Sequence, residues 1–484
     1  MSETVETPAL PPPPAAPSEG APSRPLRGAA DRARSHKEPA QEAPQPRGWP
    51  LVGNLPEVRK KGIVRFLEES WREHGDVFRV SMGMDTLVVA HPDGLERVLA
   101  SHRQNYIKGS TYDGVRRVIG DGVLALEGDA WKKRRRLMQP SFHRAALADM
   151  AGVMVETGQA FFDDLKERVP RQGILEVHRE MVKLTLDVVV AALFGRDLGD
   201  EAQVSYEALG DALVLVSEKA NGIPLPEWVP TPSNRRMKRT MGELEGAVYR
   251  VIAAGRRRGH DDGTLLSMLL GARDADTGEP LTDKEVRDEV FTLFVAGHET
   301  TALTLTWMFT LLEGREDVVE KLRAEVDEVL GDRDPTFEDV PRLTYVRQVV
   351  DETLRLRGPV AMNARTAVED DNLLGVRVRA GDIVMPFFWG AHRHPEFWED
   401  PERFDPERFT EERSRGRDPW CYLPFSAGQR ICIGNTFSLV ESVLLLAMMV
   451  RRFEWAMVPG QRIEPNVVAT VRPSAPVWLR VAWR

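Results

Sequence analysis

The chain has 484 residues, 42% of them hydrophobic, enough to bury a large core in one, two or three domains. Its 65 basic against 74 acidic side chains leave a formal charge of -9, which excludes the strongly basic footprint of a nucleic-acid binder. Two cysteines, Cys421 and Cys432, exclude a disulfide framework and lack the CxxC or nearby-histidine spacing of a zinc site, so a reducing compartment, the cytoplasm, is expected.

Residues 1–45 are rich in Pro, Ala, Ser and Glu, as in PALPPPPAAPSEGAPS. They carry too few large apolar side chains to offset the entropy of ordering, which predicts a disordered tail without catalytic role. The N-terminus lacks the charged-then-apolar pattern of an export signal, and no apolar run approaches the length of a membrane anchor. From Gly48 the composition turns globular: GWPLVGNLPEV predicts an extended, turn-rich entrance, and VFRVSMGMDTLVVA, residues 77–90, alternates like a strand pair around Gly83. Helical periodicity then dominates, with amphipathic stretches near 146–168, 180–195, 235–258, 282–312, 316–330 and 345–357. No repeat and no linker divides residues 46–484, so the expectation is one large, mainly α domain with a small β region.

The clearest helix begins at Thr282, whose TDKE sequence fits a capping box with Glu285, and runs to about Leu312. It would span roughly 45 Å, and its apolar character on most faces implies burial. Inside it lies AGHETT, where glycine, a carboxylate and two β-branched hydroxyl residues are costly choices for a buried helix. Ala296 and Thr300 share a face, Gly297 is expected to leave room for a small ligand, and the Thr300 hydroxyl can bond the carbonyl one turn back and open the helix there.

Near the C-terminus comes FSAGQRICIG, residues 425–434. A lone cysteine usually packs as a small hydrophobe. Here the apolar helix FSLVESVLLLAMMVRRF starts just after it, so the sulfur of Cys432 lies where free backbone N–H groups and the helix dipole favour a thiolate. Gly434 allows close approach of a flat ligand or a backbone amide to that sulfur, and Gly428 suits a sharp bend. A thiolate held this way can ligate iron.

Phe425, Gly428, Arg430, Cys432 and Gly434 match all five fixed positions of F-x-x-G-x-R-x-C-x-G, and the segment resembles the haem-binding loop of the cytochrome P450 family. The resemblance extends from about residue 46 to the C-terminus. It implies that family's fold, a single large domain with a long central helix over the haem, and haem b with Cys432 as axial iron ligand. By the same resemblance Glu299 and Thr300 form a proton relay beside Ala296, and His298 points away from the haem. Trp131 and Arg135 of WKKRRRLMQPSF, Arg365 of ARTAVED and Arg430 would meet the haem propionates, with Phe425 and Gly434 completing the cofactor site. Lys132, Lys133, Arg134 and Arg136 read either as a solvated face or as a basic surface for an acidic electron-transfer partner.

Glu352 and Arg355 of DETLRLRGP, at i and i+3, read by themselves as an exposed helical ion pair. The resemblance adds Arg408 of FDPERF and implies a buried structural network of the three. It also draws the substrate pocket from the loop around 108–124, the 205–232 region, Leu293, Ala296, Val360, Met362 and Ala469. His394 in AHRHPEFW stands where the family commonly has aspartate.

The activity implied is a haem-thiolate monooxygenase, hydroxylating or epoxidising a hydrophobic small molecule such as a fatty acid, terpenoid or steroid with O2. Nothing in the chain resembles a flavin or nicotinamide domain, so electrons would come from a separate ferredoxin or flavodoxin with its NAD(P)H reductase; a monomer is expected. Two alternatives are a peroxide-dependent hydroxylase of the same fold, which the presence of Glu299 and Thr300 disfavours, and a non-catalytic haem-thiolate sensor, which a complete relay disfavours.

Overall fold

Thr282 and Glu285 form the capping box that TDKE predicts: Glu285 N donates to Thr282 Oγ1 at 3.3 Å, and Thr282 N donates to Glu285 Oε2 at 2.9 Å. The computed structural model describes residues 40–169, 171–195, 231–258, 263–274, 276–467 and 469–484. Its principal helices are α1 (Ile63–His74), α2 (Gly128–Met138), α3 (Arg144–Arg168), α4 (Val177–Phe194), α5 (Pro232–Arg258), α6 (Asp283–Leu312), α7 (Glu316–Leu330), α8 (Thr344–Arg357) and α9 (Asn435–Arg452). Each expected helix is present, with ends displaced by only a few residues.

The capped helix α6 runs through the core against α4, α5, α8 and α9. From Thr301 to Phe309 every side chain is buried. Leu303, Leu305, Trp307, Met308 and Phe309 each contribute roughly 1.5–3 kcal/mol of apolar burial. The threonines in this stretch answer their own polarity: Thr304 Oγ1 donates to Thr300 O at 3.0 Å, and Thr306 Oγ1 to Ala302 O at 2.7 Å. The longest stretch of core joins α3, α4, α6, α8 and α9, and a second apolar cluster around Phe66, Trp71, Phe78, Trp307 and Trp389 ties α6 to the sheet.

The expected strand pair is an antiparallel hairpin, β1 (Val77–Ser81) and β2 (Asp85–Val89), with Val77 opposite Val89. Three later segments join it: β3 (Tyr106–Ile107), β5 (Arg365–Ala367) and β8 (Ile383–Pro386), in the order β1-β2-β8-β5-β3, with β2 and β8 parallel. A second sheet sets β12 (Trp478–Trp483) between β4 (Gln172–Glu176) and β9 (Phe453–Met457). Two hairpins complete the β structure: β6 (Asp371–Leu373) with β7 (Val376–Val378), and β10 (Pro465–Val467) with β11 (Val471–Pro473).

The expected tail boundary at residue 45 is too late. Gln41 N donates to Gly375 O and Gln41 O accepts from Arg377 N, while Arg79 N donates to Pro44 O, so this end of the segment adds itself to the β6–β7 hairpin and the β1 edge.

Candidate active site

Cys432 lies two residues before Gly434, the N-cap of α9. Its amide donates to Phe425 O at 3.0 Å, which closes the loop between them. Gly428 bends that loop at φ +67°, where a Cβ would fall 2.2 Å from the Leu99 carbonyl oxygen, so only glycine fits. The sulfur sits deep in the protein and burial pushes the thiol up, with the Gly434 N–H and the Arg135 guanidinium pulling the other way. It nevertheless presents an open surface, unlike Cys421, which is fully buried and pushed up to about 12. Gly434 has φ -89° and open space where a Cβ would point, so its role is to bring its amide to the sulfur and leave the adjoining face free.

On α6, Thr300 Oγ1 donates to Ala296 O at 2.8 Å, the backward bond expected of it. Ala296 is exposed where its neighbours along α6 are buried or half-buried. One turn on, Thr301 Oγ1 lies 3.2 Å from Ser438 Oγ of α9, which brings this part of α6 against the start of the helix that follows the cysteine. Gly297 departs from expectation: a Cβ there would lie 3.1 Å from Val189 Cγ2, so the glycine permits α4 to pack closely and opens no ligand space. His298 is buried, its Nδ1 bonded to Phe294 O at 2.8 Å, and takes no part in the site.

The Glu299 carboxylate does not turn to the neighbouring Thr300. Its Oε1 accepts from Thr470 Oγ1 at 2.7 Å and from Arg472 Nε at 2.6 Å, so this acid is held by the β10–β11 hairpin. Neither Thr470 nor Arg472 was expected, because nothing local in TVRP marks it as the partner of a helix far upstream. The same hairpin is anchored by Trp307 Nε1, which donates to Val471 O, and by Val471 N, which donates to Pro359 O beside Val360.

Four cations meet near the cysteine loop. Arg430 stacks its guanidinium 3.9 Å above the buried Trp131 ring and donates to Leu126 O at 2.8 Å. Arg135 donates to Ile431 O at 2.9 Å, and the buried Arg365 to Ala364 O at 2.7 Å. The fourth, Lys108, was missed by the sequence reading; it is buried, with Nζ on the Leu124 carbonyl. Burial, then Arg430 and Arg365, push Lys108 down to about 7. Burial also pushes Arg430 down to about 10, against the pull of Glu127, with Arg365 and Arg135 adding repulsion. Close cations of this kind, with repulsion falling on Lys108 and Arg430, suit a group bearing two negative charges, and the two carboxylates of a haem meet that requirement. Together with an open sulfur at a helix N-terminus, these residues fit the cofactor.

Glu352 and Arg355 are fully buried and bidentate, at 2.6 and 2.7 Å, rather than an exposed pair. Arg408 Nε lies 3.5 Å from Glu352 Oε1, which completes the expected trio. Arg355 also donates to the carbonyls of His392 and Pro401, and Asp405 N donates to Glu352 Oε1, so the network suspends the segment leading to the cysteine loop.

The basic run on α2 matches neither reading as a whole. Arg134 is buried, bonding Glu289 at 2.6 Å and Glu285 at 2.7 Å. Lys132 pairs with Asp129, Lys133 with the buried Asp274 and Arg136 with Asp276, so each of the outer three meets an acid of this chain. His394 is buried, with Nε2 3.1 Å from Asp76 Oδ1 and His91 nearby. This Asp76–His91–His394 group is not built as a metal centre: Asp93 N donates to His91 Nδ1 and Glu396 N to His394 Nδ1, which places the ring proton on each Nε2.

Of the pocket residues, Ala296, Val360 and Ala469 are exposed, and Leu293 and Met362 are half-buried. The loop 108–124 is described, whereas 205–230 lies outside the described residues. Glu441 of α9 was not expected: it is fully buried, burial pushes its carboxyl up to about 8 against the pull of the Thr301 hydroxyl, and neither oxygen makes a full hydrogen bond among the described residues.

Comparison with known proteins agrees with this geometry. The family model described as Cytochrome P450 matches residues 43–479. Cyclooctat-9-en-7-ol 5-monooxygenase of Streptomyces melanosporofaciens is 34% identical, over 89% of this chain and 95% of its own. Pentalenene oxygenase of Streptomyces avermitilis is 30% identical, over 91% and 97%. The crystal structure of the cytochrome P450DA heme domain superposes with a TM-score of 0.84 at 28% identity, covering 92% of this chain and 99% of that one. By the family model over residues 43–479 and by relatives of this identity and coverage, the chain belongs to the cytochrome P450 family and is a monooxygenase.

Proposed function

We propose that this monooxygenase holds haem b through Cys432 and acts on terpenoid-like hydrocarbons or alcohols. Haem, when bound, would supply the activation of O2 and the insertion of one of its oxygen atoms into the substrate, the other leaving as water with two electrons from the redox partner and two protons. Arg135, Arg365, Arg430 and Lys108 would hold the haem carboxylates, with Trp131 as the floor beneath Arg430. Thr300 holds a hydroxyl on the open face of α6, and Glu299, on the adjoining position, exchanges protons between solvent and that face after leaving Arg472. The apolar and small residues Leu293, Ala296, Val360, Met362 and Ala469 orient a substrate that offers little to hydrogen-bond, and exclude water from it.

The observation that carries this reading is the open surface of a deeply placed Cys432 sulfur beside the N-terminus of α9. The terpenoid class is supported by relatives named for oxidation of cyclooctat-9-en-7-ol and pentalenene. Electrons come from a separate ferredoxin or flavodoxin with its reductase, in the cytoplasm; among the described residues no helix is long and apolar enough to cross a membrane.

Haem-loaded protein, reduced under carbon monoxide, should give the strongly red-shifted band of a thiolate-bound haem, and Cys432→Ser should abolish it. A wild-type chain without that band, or a serine variant that keeps it, overturns the assignment. A spectral titration with sesquiterpene and diterpene alcohols against fatty acids and steroids decides the substrate class; tighter binding of fatty acids or steroids refutes the terpenoid proposal.

A further inference from the structure

Arg134 and Arg135 are consecutive on α2 yet serve different sites. Arg135 reaches the cysteine loop, whereas Arg134 turns inward to α6. Between α2 and α6 passes the stretch Gly120–Glu127, part of the loop read as lining the pocket. Asp288 Oδ2 accepts from Asp121 N at 3.0 Å, and Glu289 Oε2 accepts from Val123 N at 3.0 Å; both carboxylates are fully buried. Their charges are met by cations from other positions: Arg134 Nη1 on Glu289 Oε1 at 2.6 Å, and on Asp288 Lys284 at 2.9 Å and Arg287 at 2.7 Å.

Sterics give an independent sign of the same contact. A Cβ on Gly120, at φ +72°, would fall 2.2 Å from Asp288 Oδ1, and one on Gly122 would fall 1.9 Å from Thr292 Oγ1. The loop backbone therefore lies directly on α6. From the other side Lys108 grips the Leu124 carbonyl and Arg430 that of Leu126.

We propose that Glu289, with Arg134 and Asp288, is a positioning clamp that seats the loop Gly120–Leu126 on the central helix and so sets the shape, and the ligand selectivity, of the pocket over the cysteine site. The clamp rests on the haem-thiolate reading for its consequence on ligand binding, but not for the seating of the loop. Removing the Glu289 carboxylate leaves the Val123 amide and Arg134 Nη1 buried without their acceptor, Arg134 keeping only its bond to Glu285, so the loop lifts toward water.

The test uses the full chain loaded with haem, the variants Glu289→Ala, Glu289→Gln and Gly122→Ala, and 4-phenylimidazole as the pocket probe. Glu289→Ala should weaken phenylimidazole binding about tenfold and speed tryptic cleavage after Arg116 about tenfold, while the reduced carbon-monoxide band keeps its wild-type position. Glu289→Gln, which retains an oxygen for the Val123 amide, should recover most of the protection. Gly122→Ala should reproduce the loss by sterics alone. Unchanged affinity and unchanged cleavage in Glu289→Ala and Gly122→Ala overturn the clamp, as does loss of the carbon-monoxide band while the loop stays protected. A wild-type chain without that band fails the haem-thiolate reading instead, and cleavage of the haem-free variants then still decides the clamp.

Discussion

Arg472 donates through Nε to Glu299 Oε1 at 2.6 Å and approaches the same oxygen through Nη2 at 2.5 Å, across 173 residues of sequence. The acid of the central helix is therefore neutralised by the hairpin that also carries Ala469, and the resting carboxylate faces away from Thr300.

Breaking this pair from the cation side leaves a half-buried carboxylate without its charge partner. Arg472→Met should lower stability by about 1–2 kcal/mol in denaturant unfolding. Arg462→Met, whose pair with Glu464 is largely exposed, should cost less than about 0.5 kcal/mol. Equal effects from the two would show that the Glu299 pair has no special weight.

The hydroxyl of Thr300 is the polar group on the open face of α6, and its bond to Ala296 O keeps it there. Thr300→Ala should retain fold and carbon-monoxide band but lower product formed per electron pair roughly tenfold or more, the balance appearing as hydrogen peroxide. Thr300→Ser should restore most of the coupling. Product, NAD(P)H and peroxide measured together decide the matter.

Gly428 and Gly434 flank Cys432 and should respond oppositely. Gly428→Ala forces a Cβ against the Leu99 carbonyl at positive φ, which should cost at least about 2 kcal/mol in the haem-free protein. Gly434→Ala meets open space at an ordinary φ, so haem-free stability should change by less than about 0.5 kcal/mol. Its loss should instead show as weaker haem retention, read from the rate of haem transfer to apomyoglobin.

Glu352→Gln removes one charge from the fully buried pair with Arg355 and weakens the bond that holds Asp405 N. Breaking a buried pair from one side costs about 3–5 kcal/mol, so the variant should accumulate as poorly folded protein with little haem. A thermal midpoint within two degrees or so of wild type would contradict the structural role given to this network.

Glu441 makes stability depend on pH. Its folded value of about 8 lies above the ordinary 4.5, so as pH rises the unfolded chain releases the proton first and stability falls between these two values. The loss should approach roughly 3 kcal/mol between pH 5 and pH 8. Glu441→Gln, neutral at every pH and nearly the same shape, should remove that part of the slope; urea unfolding at the two pH values measures it.

The sequence by itself determined the features whose cause is local. The capping box at Thr282, the period of the helices, the cysteine loop ahead of α9 and the i, i+3 placing of Glu352 and Arg355 all arise within a few residues. Sequence reading therefore reached the mainly α class and singled out Cys432, Glu299 and Thr300 as candidates. Tertiary structure decided the partners of charged groups. Arg472 for Glu299, Lys108 beside Arg430, Arg134 on Glu289 and the isolation of Glu441 come from segments brought together only when α6 is enclosed. A charged side chain looks alike in sequence whether it meets water or a buried counter-charge, because the fold, and no local pattern, fixes the distance and burial on which its interaction energy depends.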